Sequence, residues 1–162
     1  MQNLSYKRKT PPLLVREINL GKSGKLIPKT VKKIMKNVAI KGKYIPKNKD
    51  KFLSKRTPIY RSMWERRFMI YCDKSENILE WDSESIHIPY ISPKDDRWHN
   101  YYPDFYIKYK DKHDSIINAI IEIKPSFQKK WDVNIAKWEA CQKHCDEKNM
   151  EFKVLTEKEL FE

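Results

Sequence analysis

Two short segments carry acids and an amine where strand ends should be: Pro103-Asp104 and Glu122-Ile123-Lys124. Side chains alternate faces along a strand, so in residues 116–124 Ile120, Glu122 and Lys124 point one way while Ile121 and Ile123 point the other. Ile116, Ile117, Ala119, Ile120 and Ile121 form a run typical of a buried strand. A carboxylate and an ammonium at the end of such a strand are costly to desolvate unless paired or bound to a metal. Pro125 ends the strand and exposes that end. Pro103 fixes the backbone before Asp104, which opens strand 104–109, paired in hairpin fashion with the next. Asp104 and Glu122 are thereby offered to one site. Two hard oxygen donors with room for water and a phosphate oxygen suit Mg²⁺ or Mn²⁺. On a helix over residues 62–72, Glu65 shares a face with Phe68, Met69 and Cys72, at spacings of three, four and seven. A carboxylate on a stripe that should face the core needs a task. Three carboxylates and a lysine turned inward make a phosphodiester-cleaving centre, with a metal polarising the phosphoryl oxygen and activating water. Lys124 would orient that water or steady the developing charge. Taken singly, each motif is more often a surface ion pair; the information is in the combination.

The elements that must position these groups follow from residue 58 onward. The sequence predicts a helix over 62–72, strands over 78–81 and 85–90 joined by a turn at Asp82-Ser83-Glu84, and a polar loop over 92–100. It then predicts strands 104–109 and 116–124, a helix over 131–148, a strand over 152–155 and a last helical turn over 157–161. Helix, several strands, helix, strand implies an α/β fold with a mixed sheet flanked by helices. The long helix carries Trp131, Ile135, Trp138, Cys141 and Cys145 on its apolar side. Cys141, His144 and Cys145 lack a fourth zinc ligand at the usual spacing, so buried thiols are the better account. Three cysteines in 162 residues also argue against a disulfide framework and for a reducing compartment.

Charge divides the chain. Residues 1–56 hold 17 Lys and Arg against 2 acids, a net +15, and residues 57–162 hold 17 against 20, a net −3. The expected organisation is a basic N-terminal arm, 1–56, partly irregular, and a domain over 57–162. Such an arm is the electrostatic footprint of a polyanion, with a solvated tail as the alternative. Within it, residues 29–40 suit an amphipathic helix that either docks on the domain or lies on DNA phosphates. Gly21-Lys22-Ser23-Gly24-Lys25 lacks the first glycine of a phosphate loop, because Arg16 stands there. No apolar run is long enough for a membrane span, and residues 1–10 lack the apolar core of a secretory signal.

The pairing of Pro103-Asp104 with Glu122-Ile123-Lys124, plus the upstream Glu65, resembles the PD-(D/E)xK nuclease superfamily of restriction enzymes and transposon end-cleaving nucleases. Longer motifs sharpen the likeness: Gly42-Lys43-Tyr44-Ile45-Pro46, Tyr60-Arg61-Ser62-Met63-Trp64-Glu65, Trp81-Asp82-Ser83-Glu84, Ile88-Pro89-Tyr90-Ile91-Ser92-Pro93, Tyr102-Pro103-Asp104-Phe105 and Ile121-Glu122-Ile123-Lys124-Pro125. Over residues 42–155 this series is similar to the head completion nucleases of tailed myophages. The resemblance implies a restriction-endonuclease-like sheet and a Mg²⁺-dependent endodeoxyribonuclease with Glu65, Asp104, Glu122 and Lys124 as its active-site residues. It implies a virion-associated protein, present in the host cytoplasm during assembly, that acts on double-stranded phage DNA ends beside portal, neck or head proteins. Residues 1–40 precede the family's usual start.

Further DNA contacts are weaker candidates. Gln128, Lys129 and Lys130 follow the catalytic strand, Arg61, Arg97 and His99 flank the proposed site, and Lys7, Arg8 and Lys9 lie in the arm. Gln128 serves equally well as a hydrogen bond at a helix start, and Lys129 and Lys130 as solvated charges. For Tyr101 and Tyr102, packing under the loop outweighs stacking on a base. Two other functions fit the same residues. One is a structural neck or head-completion protein that binds DNA ends without catalysis; the other is a transposon or repair-type endonuclease on the same fold.

Overall fold

The structure is a computed structural model and describes residues 40–161. The candidate contacts Lys7, Arg8 and Lys9 and nearly all of the expected helix over 29–40 lie outside the described residues. The elements run β1 (Gly42–Lys43), β2 (Ile59–Tyr60), α1 (Met63–Lys74), β3 (Ile78–Ser83), β4 (Ile88–Ser92), β5 (Arg97–Tyr101) and β6 (Phe105–Lys110). There follow β7 (Ile116–Ile123), a 3-10 turn (Ser126–Lys130), α2 (Asp132–Glu147), β8 (Glu151–Leu155) and α3 (Glu157–Phe161).

The central sheet has the order β3-β6-β7-β8. β6 is antiparallel to both β3 and β7, while β7 and β8 are parallel, with α2 as the crossover between them. This is the mixed sheet flanked by helices that the sequence implied. The alternation of β7 sorts its two faces. Ala119, Ile121 and Ile123 enter a core with Phe68, Met69 and Cys72 of α1, Trp81 of β3 and Leu160 of α3. Ile120 enters a second core with Cys141 and Cys145 of α2 and Ile88, Tyr90 and Tyr101 of β4 and β5. Cys72, Cys141 and Cys145 are free buried thiols, which is the burial expected of Cys141 and Cys145 on the apolar side of α2.

Two expectations are corrected. Asp82-Ser83-Glu84 does not turn β3 back against β4: Asp82 and Ser83 continue β3 and pair with Tyr106 and Phe105 of β6. Residues 97–100 of the expected loop instead form β5 with Tyr101, which pairs antiparallel with β4 from Ile88↔Tyr101 to Ser92↔Arg97. The resulting two-stranded ribbon is separate from the main sheet and rests on α2. Its reversal places Asp96 at φ 53, a left-handed conformation that Asp tolerates better than most residues.

Residues 42–56 are tied into the body. β1 pairs with β2, Phe52 bridges to Trp81, and the Tyr44 and Phe52 rings pack against the Trp81 ring. At Gly42 any Cβ would collide with the Tyr60 ring. The buried Asp73 near the end of α1 clamps this segment, accepting from the Tyr44 hydroxyl at 2.8 Å and the Lys47 and Asn48 N–H groups at 2.7 and 3.0 Å. Removing the acceptor leaves three donors without it. Asp73→Ala should therefore cost about 2–3 kcal/mol in chemical denaturation and expose residues 44–50 to limited proteolysis. Unchanged stability would show that the clamp contributes nothing.

Candidate active site

The site forms where the β6–β7 ladder ends. The last residue pair is Phe105↔Ile121, and one step further β6 gives way to Asp104 and Pro103. The Lys124 N–H is directed to Leu155 of β8 at 3.0 Å, so by alternation the Ile123 N–H faces β6, where no backbone acceptor remains. The Asp104 carboxylate takes that place, with Oδ2 accepting from Ile123 N–H at 2.7 Å. The Asp104 carbonyl meanwhile accepts from Glu84 N–H at 3.1 Å on the β3 side. Asp104 is thus held to both neighbouring strands.

Glu122 points to the same face as Ile120, toward α2 and the ribbon, and is only 2% exposed. Its Oε2 accepts from the Tyr101 hydroxyl at 2.7 Å, and its Oε1 is 2.8 Å from Lys124 Nζ. Burial and the Glu122 charge push the Asp104 carboxyl well above the usual range; Lys124 opposes this and Glu65 adds to it. Burial pulls the Lys124 ammonium down, but Glu122, Asp104 and Glu65 outweigh it and leave the pKa raised. Lys124 therefore stays protonated at neutral pH.

Glu65 reaches this centre from another direction. α1 packs on the opposite face of the sheet, and Glu65 sits in its first turn. Ser62 caps the helix by accepting from the Glu65 N–H at 3.1 Å, and the Glu65 carboxylate accepts from the Ser62 hydroxyl at 2.9 Å and the Arg61 N–H at 2.7 Å. This is a variant of the capping box signalled by Ser62-x-x-Glu65, with the carboxylate reaching back to the Arg61 N–H instead of that of Ser62. The helical-stripe argument gave Glu65 a core-facing task and overlooked that local role. Its charge still acts on Asp104 and Lys124. Among the described residues, no three His, Cys, Asp or Glu side chains gather closely enough to hold a metal ion by themselves. The tight constellation is Asp104, Glu122 and Lys124.

A family model described as TnsA-like endonuclease N terminal matches residues 75–157, the stretch that contains all three of these groups. The chain belongs to the TnsA-like endonuclease family. It is also 30% identical over 143 residues to the head completion nuclease of Enterobacteria phage T4, across 74% of this chain and 93% of that protein. Membership in this PD-(D/E)xK-type family accords with the mixed sheet and its carboxylate-bearing strand ends. Glu65 lies before the matched segment.

The remaining candidates of this TnsA-like chain are spread out. Arg61 is exposed, and its guanidinium pairs with Glu84. Arg97 is exposed at the outer end of the ribbon, and His99 is held to Asp95 at 2.9 Å. Arg97 is four residues along β5 from Tyr101, about 13 Å of strand. Gln128 is half-buried in the 3-10 turn, where its carbonyl accepts from Asn134 Nδ2 at 2.9 Å; Lys129 and Lys130 are exposed on the same turn.

Two residues near the centre were not singled out for it. Tyr101 packs as expected, yet its hydroxyl also holds Glu122. Lys137 of α2 lies with Nζ 5.7 and 5.6 Å from the Tyr90 and Tyr101 ring centroids, and no carboxylate stands within ion-pair distance of it among the described residues. Burial and the neighbouring Lys124 lower its pKa. A lysine in a helix gives no such signal in sequence; only the packing of α2 against the ribbon reveals it.

The raised pKa of Asp104 has a stability consequence. Its contribution is fully present below the ordinary Asp pKa and is lost as pH rises through the elevated folded value. Asp104→Asn should therefore melt higher than the parent at neutral pH in EDTA, by about 2–4 °C per kcal/mol of relief. The gain should shrink as pH falls toward about 4, the ordinary Asp value. A lower melting temperature for the variant at neutral pH would contradict the assigned repulsion.

Proposed function

We propose that the protein is a Mg²⁺-dependent DNA endonuclease acting on DNA ends during phage head completion, with Asp104, Glu122 and Lys124 as its catalytic centre. The observation that carries this reading is the pair of partly or fully buried carboxylates at adjoining strand ends, with a protonated lysine 2.8 Å from one of them. Family membership supplies endonuclease chemistry, and the similar phage T4 protein, named a head completion nuclease, supplies the assembly context.

The residues fit a hard divalent cation. Magnesium is typically held by one or two carboxylates, with water and substrate phosphate completing its shell. Burial and the Glu122 charge raise the Asp104 carboxyl, with Lys124 opposing only in part, and a cation held by these carboxylates would relieve both. Asp104 Oδ2 is occupied by the Ile123 N–H, and its Oδ1 makes no hydrogen bond among the described residues. Asp104 and Glu122 would hold the ion, and Mn²⁺ would substitute. Glu65, fixed in its capping box, acts from outside that pair. When bound, the ion supplies Lewis acidity toward a phosphoryl oxygen and lowers the pKa of a coordinated water.

The protein's own groups do the rest. Lys124 is a donor and not a proton acceptor, so its ammonium steadies negative charge developing on the phosphoryl oxygens. Tyr101 fixes the Glu122 carboxylate through Oε2 and leaves Oε1 to face Lys124. Lys137, held against two tyrosine rings without a carboxylate partner, binds a phosphate next to the scissile one. Lys129, Lys130 and Arg97 contribute exposed charge for the backbone.

Purified protein with Mg²⁺ or Mn²⁺ should nick or cut duplex DNA. Lys124→Ala and Asp104→Asn should each lower the rate by about 10²–10³-fold or more. Lys137→Gln should raise KM about tenfold while sparing kcat, with Lys137→Arg restoring it. Equal cutting by the Lys124 and Asp104 variants would remove these residues from the active site.

A further inference from the structure

The crossover from the catalytic strand to α2 leaves unusual surface exposed. The 3-10 turn begins two residues after Lys124, and its Phe127 is 68% exposed. Trp131, between that turn and α2, is 50% exposed, and Ile135 one helical turn on is 40% exposed. The apolar side expected for α2 is therefore buried only at Cys141 and Cys145 and half-buried at Trp138, and it emerges at its N-terminal end. The Phe127 and Trp131 rings meet edge to face, with centroids 6.0 Å apart. They are not loose. Ser126 N–H donates to Glu157 at 2.8 Å, and the Ser126 hydroxyl donates to the same carboxylate. Gln128 N–H returns to the Pro125 carbonyl at 2.9 Å, and Trp131 N–H to the Gln128 carbonyl at 3.2 Å. The turn is built to present these rings outward.

Beside them is a cleft of about 440 Å³ lined by Pro93, Lys94, Lys130, Trp131, Asp132 and Val133. One wall is aromatic. Lys94 comes from the β4–β5 turn and Lys130 from the 3-10 turn, against the single acid Asp132. Lys94 also acts electrostatically on Lys137, which itself feels the charges of Lys124, Glu122 and Asp104. Aromatic rings beside lysines suit a polyanion with flat apolar faces. A docking surface for protein would be depleted of lysine at its centre, whereas here two lysines form the lining. Duplex DNA offers phosphates but keeps its base faces stacked inside; an unpaired strand offers both.

We infer that Phe127, Trp131, Lys94 and Lys130 form a subsite for unpaired nucleotides, so that this nuclease engages DNA ends carrying a single-stranded tail. The inference deepens the proposed endonuclease reading and rests on it for substrate class. Bases stack on Trp131 and Phe127, phosphates meet Lys94 and Lys130, and the adjoining duplex runs toward Asp104 and Glu122.

The test separates binding from cutting. Full-length protein in EDTA is titrated by fluorescence anisotropy with a blunt duplex and with the same duplex bearing a tail of about ten nucleotides, the site size of a stacking groove. The tailed duplex should bind more tightly. Trp131→Ala with Phe127→Ala should lose about tenfold on the tailed duplex and change blunt binding less than about twofold. Thermal melting checks that the variant folds, and Trp131→Tyr, which keeps a stacking face, should retain most of the preference. Equal binding of the two probes by the parent protein would overturn the subsite. So would equal loss on both probes in the aromatic variant. Tail preference without cutting of either DNA in Mg²⁺ would sink the endonuclease reading and leave the subsite. Cutting without tail preference would do the reverse.

Discussion

The hydrogen bond from the Ile123 N–H to the Asp104 carboxylate closes a gap that the sheet itself creates. β6 ends one residue short of what β7 needs, Pro103 has no N–H with which to extend the ladder, and an acidic side chain completes the pairing at 2.7 Å. The same bond fixes the carboxylate beside Glu122. Each element around it can be read as support for that junction. Glu84, just past β3, donates its N–H to the Asp104 carbonyl from one side, Leu155 of β8 takes the Lys124 N–H from the other, and Tyr101 secures Glu122 from the second face. The electrostatic strain of two carboxylates in a partly dry setting is confined to this point.

How much of this was legible in the sequence depends on which physics placed each residue. β7 was clear because a continuous apolar run is what a strand buried on both faces requires, and its alternation correctly separated Ile120 and Glu122 from Ile121 and Ile123. α1 and α2 announced themselves by their periodicity. Asp104, Glu122 and Lys124 were readable as a group because an acidic strand end after proline and a charged pair at the end of an apolar strand both conflict with burial unless they share a purpose.

The failures have causes of their own. β5 consists of Arg97, Trp98, His99, Asn100 and Tyr101, of which only Tyr101 is buried, so no alternation distinguished it from a loop. Its existence depends on pairing with β4, a non-local fact. The assumed turn after β3 failed for a related reason. β3 finds its partner in β6, some twenty-five residues away, and that pairing outweighs the local turn composition of Asp82-Ser83-Glu84. Glu65 carried two signals, a helical stripe and a capping box, and the shorter-range one describes the bonds it makes. Lys137 carried none.

The β4–β5 ribbon is separate from the main sheet, yet it supplies a hydrogen-bond donor to that sheet's Glu122. Tyr101 lies at one end of the ribbon and Arg97 at the other, about 13 Å apart along β5. A displacement of the ribbon that reached Tyr101 would remove the hydroxyl donor from Glu122 Oε2. The orientation of a carboxylate on the main sheet is in this way tied to a ribbon that shares no backbone ladder with it.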